Sequence, residues 1–153
     1  MDADGQHNPK YIKTIVKIFK NFNSDFCKGY RDQNIETINS NGMPLIRFLG
    51  AWGCTMLTRI VTGNYSIKDA PNGLFGIKKE LLKKIDLKKV RLNYFFEQDI
   101  IFHVCLKKAK INQFKTIIKY GSEKSNLQPV GSIPFFLIYH LINFTYKNFY
   151  LKK

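Results

Sequence analysis

Acidic residues are scarce in this sequence. Asp and Glu number 11 against 25 Lys and Arg, which gives a formal net charge of +14. This balance favours an anionic partner: a nucleic acid, a phosphate-bearing substrate or an acidic membrane surface. The alternative is a Lys-, Asn- and Ile-rich compositional bias that says little about any single site. Because the lysines are dispersed and no nucleic-acid-binding signature is visible, nucleic acid is not the expected partner.

Cysteine is also scarce, and Cys27, Cys54 and Cys105 lie far apart in the sequence. An odd number of cysteines without a C-x-x-C pair argues against a disulfide framework and against a zinc site. The pattern favours small buried residues in a reducing compartment. The first residues are acidic and polar, which is not the pattern of a signal peptide. We therefore expect a cytoplasmic protein.

Long hydrophobic runs free of charge are missing as well. The most apolar stretch, residues 43–61, contains Arg47 and Arg59, and each would be costly in the middle of a bilayer. It is predicted to be a buried or membrane-apposed helix, in which Arg47 is either a snorkelling side chain or an anion ligand. The chain is nevertheless 44% hydrophobic and 14% aromatic, enough for the core of one domain of 153 residues.

The spacing of apolar residues predicts strands that alternate with helices, which is typical of an α/β fold. Strands are expected over residues 25–31, 74–77 and 111–120. Helices are expected over residues 10–22, with Asn8 as the N-cap, and over residues 43–61, 78–85 and 94–108. Residues 133–151 form a last, aromatic-rich helix followed by two lysines. It fits either a helix lying in the membrane interface or a surface helix packed on the domain.

The first residues, Asp2-Ala3-Asp4-Gly5-Gln6-His7, are crowded with oxygen donors just before the first predicted helix. In an extended segment Asp2, Asp4 and Gln6 would point the same way. Three oxygen donors on one side can hold a hard divalent cation that keeps open positions for phosphate oxygens. The alternative is an acidic, solvated stretch in front of a helix.

Further motifs follow in order: Lys28-Gly29-Tyr30-Arg31, Asp69-Ala70-Pro71-Asn72-Gly73-Leu74-Phe75-Gly76, Phe95-Phe96-Glu97-Gln98-Asp99 and Gly121-Ser122-Glu123-Lys124-Ser125. Together with the first stretch, they resemble the inverting family 2 glycosyltransferases with the GT-A fold, in particular the dolichol-phosphate mannosyltransferase-like enzymes. The resemblance covers residues 1–127, expected to be the C-terminal part of a catalytic domain. Residues 128–153 are expected to form a membrane-interface or packing helix.

The resemblance implies roles for particular residues. Asp2, Asp4 and Gln6 would hold Mg²⁺ or Mn²⁺ at the diphosphate of a nucleotide-sugar donor. Glu97 and Asp99 match the Glu-x-Asp position near the acceptor, where a carboxylate takes the proton of an acceptor hydroxyl. Their alternative role is to complement the positive end of a helix. The residues implied in substrate and phosphate binding are Arg31, Arg47, Asn72, Gly73 and Lys124.

The function implied is metal-dependent, inverting transfer of a sugar from a nucleotide-diphosphate sugar to a lipid-linked or saccharide acceptor. It would serve polysaccharide or glycolipid assembly at the cytoplasmic face of a membrane. The family's nucleoside-binding N-terminal half has no counterpart in these 153 residues. We therefore expect a truncated or separately encoded C-terminal portion that binds nucleotide-sugars poorly and turns over little or nothing, with a missing N-terminal half as a candidate partner. The alternative function is a non-enzymatic basic module that binds anionic membrane or nucleic acid.

Overall fold

The computed structural model describes residues 7–31, 44–117 and 129–151, and its fold is mixed α/β, as predicted. A 3₁₀ turn lies at Leu87–Lys89. The helices and strands are, in chain order, α1 (Lys10–Phe22), β1 (Phe26–Arg31), α2 (Leu45–Thr62), β2 (Phe75–Ile77), α3 (Lys79–Leu82), α4 (Phe96–Leu106), β3 (Ile111–Thr116) and α5 (Pro129–Leu151).

The strands of the described segments form one sheet in the order β2-β1-β3. The central strand, β1, is antiparallel to β2 and parallel to β3, with Arg31 opposite Thr116. Parallel strands end at the same edge of a sheet, and ligands of open α/β sheets bind beside that edge. We call this region the carboxyl edge. It consists of Arg31, Thr116 and the loop Asp69–Gly73.

Helix α1 covers one face of the sheet. The Asn8 side-chain oxygen accepts a hydrogen bond from the Lys10 backbone N–H at 2.9 Å, the bond expected of the predicted cap, although Pro9 is the residue that directly precedes the helix. The helix lies so close to β2 that a Cβ atom on Gly76 would be 2.5 Å from Ile15 Cγ2. In the first turn of α1, the Tyr11 hydroxyl oxygen accepts a hydrogen bond from the Ile117 N–H at 2.8 Å. The first turn of α1 therefore lies at the carboxyl edge.

The opposite face of the sheet is covered by α4 and by the segments around it. Helix α2 packs against α4 and α5, and the Thr58 hydroxyl lies 3.4 Å from Nε2 of His140 on α5. The core on this side contains Phe26, Ile67, Ala70, Leu81, Ile85, Val90, Ile100, Ile101 and Val104.

Several predicted boundaries were wrong for identifiable reasons. Strand β3 ends at Thr116 because the next N–H, that of Ile117, is bonded to Tyr11. Helix α4 begins at Phe96 rather than at residue 94, because Asn93 forms a turn that accepts hydrogen bonds from the Phe95 and Phe96 N–H groups. Helix α5 begins at residue 129 rather than 133, so Pro134, a residue typical of a first turn, lies inside it. Helices α2 and α3 span Leu45–Thr62 and Lys79–Leu82, whereas the predicted ranges were 43–61 and 78–85.

Candidate functional site

Arg31 and Asp69 form a two-pronged ion pair at the carboxyl edge. Arg31 Nε lies 2.7 Å from Oδ2 of Asp69, Nη2 lies 2.7 Å from Oδ1, and the Arg31 backbone N–H donates to Oδ2 at 3.0 Å. Burial alone would raise the pKa of the fully buried Asp69, but the Arg31 guanidinium holds that pKa below its ordinary value. Asp69 is therefore ionised at neutral pH and fixes the plane of the guanidinium.

Asn72 fastens the loop of the carboxyl edge to the strand ends. Its Oδ1 accepts a hydrogen bond from the Leu74 N–H at 2.9 Å, an arrangement typical of asparagine in turns. Its Nδ2 lies 3.4 Å from Oδ2 of Asp69 and 3.5 Å from Oγ1 of Thr116. Gly73 is buried beside it. Asn72 and Gly73, predicted to bind substrate, thus lie next to the Arg31–Asp69 pair.

Lys28 is a buried lysine in β1, only 2% exposed. Its Nζ donates a hydrogen bond to the Asn72 carbonyl oxygen and lies 5.8 Å from the centre of the Phe75 ring. Its charge adds to that of Arg31 in lowering the pKa of Asp69. Lys28 is included in a sequence motif but is assigned no role there. A lysine in a strand usually points to solvent, so the local pattern does not mark this one as buried.

The predicted metal ligands Asp2, Asp4 and Gln6, and the predicted phosphate ligand Lys124, lie outside the described residues. Their roles stay predictions. Within residues 7–31, 44–117 and 129–151, no group of three His, Cys, Asp or Glu side chains could hold a metal ion. Arg47 is half-buried in the first turn of α2, and its role also stays a prediction.

Glu97 and Asp99 both lie in the first turn of α4, as predicted, but their surroundings differ. Glu97 is half-buried, whereas Asp99 is 1% exposed. Oδ1 of Asp99 accepts hydrogen bonds from the Tyr139 hydroxyl at 2.9 Å, from Arg91 Nη1 at 3.1 Å and from Asn143 Nδ2 at 3.3 Å. Oδ2 accepts one from the Arg91 backbone N–H at 2.8 Å. Asp99 therefore does more than complement a helix end.

Arg91, Tyr139 and Asn143 were missed by sequence reasoning. One signal was present: in a chain with only 11 acidic residues, an Asp inside the apolar stretch Phe96–Leu106 needs a partner once it is buried. Burial raises the pKa of Tyr139, and the Asp99 charge raises it further, so the phenol remains a hydrogen-bond donor. The Tyr139 ring is stacked on Phe95 with the ring centres 4.4 Å apart.

Twelve large apolar side chains of helices α2 and α5 are exposed, and we call this set the apolar face. On α5 the buried side chains are Tyr139, His140 and Asn143 among residues 134–149. Clusters of exposed apolar side chains are typical of interaction surfaces. No helix in the described part of the chain combines the length and the apolar character needed to cross a bilayer. The apolar face consists of Leu45, Ile46, Leu49, Trp52, Ile60, Phe135, Leu137, Ile138, Leu141, Ile142, Phe144 and Phe149.

Comparison with known proteins shows similarity to three curated sequences. An uncharacterized protein of Methanocaldococcus jannaschii is 34% identical over 94 residues, which is 59% of this chain and 37% of that protein. UDP-N-acetylglucosamine–dolichyl-phosphate N-acetylglucosaminyltransferase of Methanococcus voltae is 32% identical over 82 residues, 54% of this chain and 32% of that enzyme. Dolichol-phosphate mannosyltransferase of Pyrococcus furiosus is 31% identical over 98 residues, 63% of this chain and 27% of that enzyme.

These comparisons make the chain a distant relative of proteins named as dolichyl- or dolichol-phosphate glycosyltransferases. The chain spans about a third of the length of the curated relatives it matches. No family model matches it, and no solved structure matches it.

Proposed function

We propose that this chain forms the metal-binding and acceptor side of a glycosyltransferase that moves a sugar from a nucleotide-diphosphate sugar to a lipid-linked or saccharide acceptor. The observation that carries the proposal is the Arg31–Asp69–Asn72 cluster at the carboxyl edge, in which Asp69 and Asn72 are buried, in a chain related to two named glycosyltransferases. Ligands of open α/β sheets bind at this edge, and an arginine fixed by a carboxylate suits a phosphate.

We propose that the metal ligands act in this same region. The segment with Asp2, Asp4 and Gln6 leads directly into α1, whose first turn lies at the carboxyl edge. Two carboxylates and an amide are the oxygen donors that Mg²⁺ and Mn²⁺ prefer. When bound there, the ion would offset the negative charge that grows on the nucleoside diphosphate as the glycosidic bond breaks.

Phosphate recognition is proposed for Arg31, Arg47 and Lys124. The Arg31 side chain is 17% exposed, and its guanidinium plane is set by Asp69. A planar guanidinium held in this way is preorganised for phosphate oxygens, which a mobile lysine is not. Asn72 and Gly73 shape the loop that surrounds it.

The acceptor decides whether a base is needed. A hydroxyl acceptor must lose its proton as the sugar transfers with inversion, whereas a lipid phosphate is already ionised. Both oxygens of Asp99 accept hydrogen bonds inside the protein, and the residue has almost no contact with solvent. Of the two predicted carboxylates, we therefore propose Glu97 for proton transfer.

We propose that the chain works at the cytoplasmic surface of a membrane, with the apolar face against anionic lipid. The charge of the chain supports this occupant, because a net +14 is complementary to acidic headgroups. Exposed aromatic side chains such as Trp52 and Phe149 are typical of surfaces that lie in the membrane interface.

Nucleoside recognition is proposed to come from sequence beyond these 153 residues. The matched regions cover only 37% and 27% of the Methanocaldococcus and Pyrococcus relatives. This chain alone should therefore bind the diphosphate and metal weakly and add little affinity for the base.

Isothermal titration tests this division. UDP and GDP should bind the chain weakly in the presence of Mn²⁺, and binding should disappear with EDTA or in Asp4→Asn. The exposed Asp86 provides a matched control, since Asp86→Asn makes the same chemical change away from the proposed metal ligands. Equal binding by Asp4→Asn and wild type would contradict the metal site. Micromolar affinity for a UDP- or GDP-sugar would contradict the need for a further nucleoside-binding region.

The second candidate is a non-enzymatic basic module, and the apolar face is the observation that favours it in its membrane-binding form. Vesicle flotation without metal-dependent diphosphate binding would support this candidate over the enzyme. Strong, steeply salt-dependent binding in a nucleic-acid shift assay would instead favour a nucleic-acid module.

A further inference from the structure

Asp99 connects two helices that are far apart in the sequence. It lies in the first turn of α4, and its partners Tyr139 and Asn143 belong to α5, 40 and 44 residues further along the chain. Arg91 completes the group, because its Nη1 donates to Oδ1 of Asp99 and also to Oδ1 of Asn143, both at 3.1 Å. We call Asp99, Arg91, Tyr139 and Asn143 the clamp.

The clamp is a buried polar network, and Nε2 of the buried His103 also lies 3.9 Å from Oδ2 of Asp99. Asp99, Tyr139 and Asn143 are each at most 4% exposed, and the Arg91 guanidinium lies 4.8 Å above the Tyr139 ring. A buried carboxylate that loses its donors carries a large desolvation cost, so the network favours a single arrangement of its members. Partial release of one member destabilises the others.

The clamp also determines which side of α5 is exposed. Tyr139 and Asn143 are four residues apart and therefore lie on the same side of the helix. Because both point to Asp99, the opposite side, with Leu137, Leu141 and Phe144, is exposed. The rotation of α5 about its own axis is thus fixed by hydrogen bonds of defined direction, which apolar packing alone would not specify.

We propose that Asp99 is a positioning residue and that the clamp couples the docking of α5 on an anionic membrane to the first turn of α4, which carries Glu97. The part of this inference that concerns Glu97 rests on the proposed function. Docking of the apolar face favours the clamped orientation of α5, and the clamped orientation holds Asp99 and its turn. Since coupling between two sites is reciprocal, a variant that loosens the clamp weakens membrane binding without touching the lipid-facing side chains.

The experiment uses the whole 153-residue chain and vesicles of phosphatidylcholine and phosphatidylglycerol. Hydrogen exchange of the α4 amides is measured with and without vesicles, and the partition of the protein onto vesicles is measured by sedimentation. In the wild-type chain, vesicles should slow the exchange of the Asp99 and Ile100 amides. This arm requires no substitution and is independent of how well any variant folds.

Tyr139→Phe removes one hydroxyl and keeps the ring that stacks on Phe95. It should lower the partition onto vesicles by about fivefold, the lower end of usual coupling between sites, and should reduce the vesicle-induced protection of α4. Asn143→Ala should act in the same direction. The matched control is Tyr65→Phe, because Tyr65 is 68% exposed and lies outside the clamp. This control should behave as the wild type.

The inference is overturned if vesicles leave the α4 amides unchanged, or if Tyr139→Phe partitions like Tyr65→Phe. The Mn²⁺-dependent binding of UDP and GDP is a separate assay. If that binding is lost while the coupling is intact, the proposed function fails and the inference about the clamp stands. If diphosphate binding is intact and the coupling is absent, the inference about the clamp fails and the proposed function stands.

Discussion

The Arg31 guanidinium and the Asp69 carboxylate are joined by two side-chain contacts of 2.7 Å each, across 38 residues of sequence. The pair connects the end of β1 to the loop before β2, and a third bond from the Arg31 backbone N–H, 3.0 Å long, reinforces it. An exposed ion pair adds little to stability, but a buried pair that loses one member is costly. The geometry of the carboxyl edge therefore depends on both residues.

Asp69→Asn should lower the free energy of unfolding by about 3–5 kcal/mol at neutral pH, because it leaves the Arg31 charge without its carboxylate. Urea unfolding followed by circular dichroism measures the change. Asp86→Asn, at an exposed position, should shift stability by less than about 0.5 kcal/mol.

The difference in unfolding free energy between wild type and Asp69→Asn should shrink in acid. The folded-state pKa of Asp69 is lowered, so its contribution is present above its unfolded pKa and is lost as the pH falls through the folded pKa. A difference that stays constant into strong acid would contradict this account.

His140 should make stability fall on mild acidification. Burial between α2 and α5 lowers its pKa from the ordinary value of 6.5, while the Phe136 carbonyl oxygen, 2.7 Å from Nδ1, opposes the shift. The unfolded chain then binds a proton that the folded chain does not, so stability is lost as the pH falls below about 6.5, by at most about 1.4 kcal/mol per pH unit. In His140→Gln the unfolding free energy should vary less between pH 7 and pH 5. The same substitution at His103 provides the comparison, because burial also lowers the pKa of His103.

Two glycines should respond to alanine in opposite ways. Gly76→Ala should destabilise the protein by about 1–3 kcal/mol, because the added Cβ would lie 2.5 Å from Ile15 Cγ2 and force α1 away from β2. Gly53→Ala places the same atom inside α2 with nothing within 4 Å, and should stabilise by about 0.5–1 kcal/mol. Thermal unfolding of both variants compares the two effects. Equal shifts would show that α1 does not pack on β2 as described.

The three cysteines should react slowly with thiol reagents. Burial raises the pKa of each of Cys27, Cys54 and Cys105 to about 11, so little thiolate is present at neutral pH. Labelling with iodoacetamide should be slow in buffer and complete in urea. Rapid labelling of Cys27 in the native protein would contradict its burial in the sheet.

Trp52 is the single tryptophan of the chain and lies in the apolar face, 51% exposed. Its emission should shift to the blue when anionic vesicles are added, because the indole leaves water for the membrane interface. High salt should weaken the effect, since the attraction depends on the charge of the protein. An unchanged emission spectrum at saturating vesicle concentration would contradict the proposed membrane surface.

Local features of the fold could be predicted from the sequence. The apolar spacing of residues 10–22 predicts α1 at its observed bounds, and the hydrogen bond that Asn8 accepts from Lys10 is also predictable, because both signals lie within a few residues. The strand expected over residues 25–31 is β1 at Phe26–Arg31. The placement of Arg31 and Asn72 at one edge could be expected only from the resemblance, since the loop and the strand meet through tertiary contacts.

The long-range parts of the site could not be predicted. Lys28 is buried because the Asn72 carbonyl receives its ammonium group, and no pattern within β1 announces that acceptor. In the same way, the environment of Asp99 depends on Tyr139 and Asn143, whose orientation is set by the packing of α5 on α2 and α4. A sequence pattern gives the residue types of such a network, but not which of them meet.

The clamp has a consequence for the order in which the chain folds during synthesis. Asp99 leaves the ribosome well before Tyr139 and Asn143, which follow 40 and 44 residues later. Until they arrive, only Arg91 is available from the clamp, and full burial of the carboxylate is unfavourable. We therefore expect α4 to remain loosely held on the nascent chain and to dock last together with α5. A ribosome that stalls between the two helices would display an unfinished fold to chaperones and proteases.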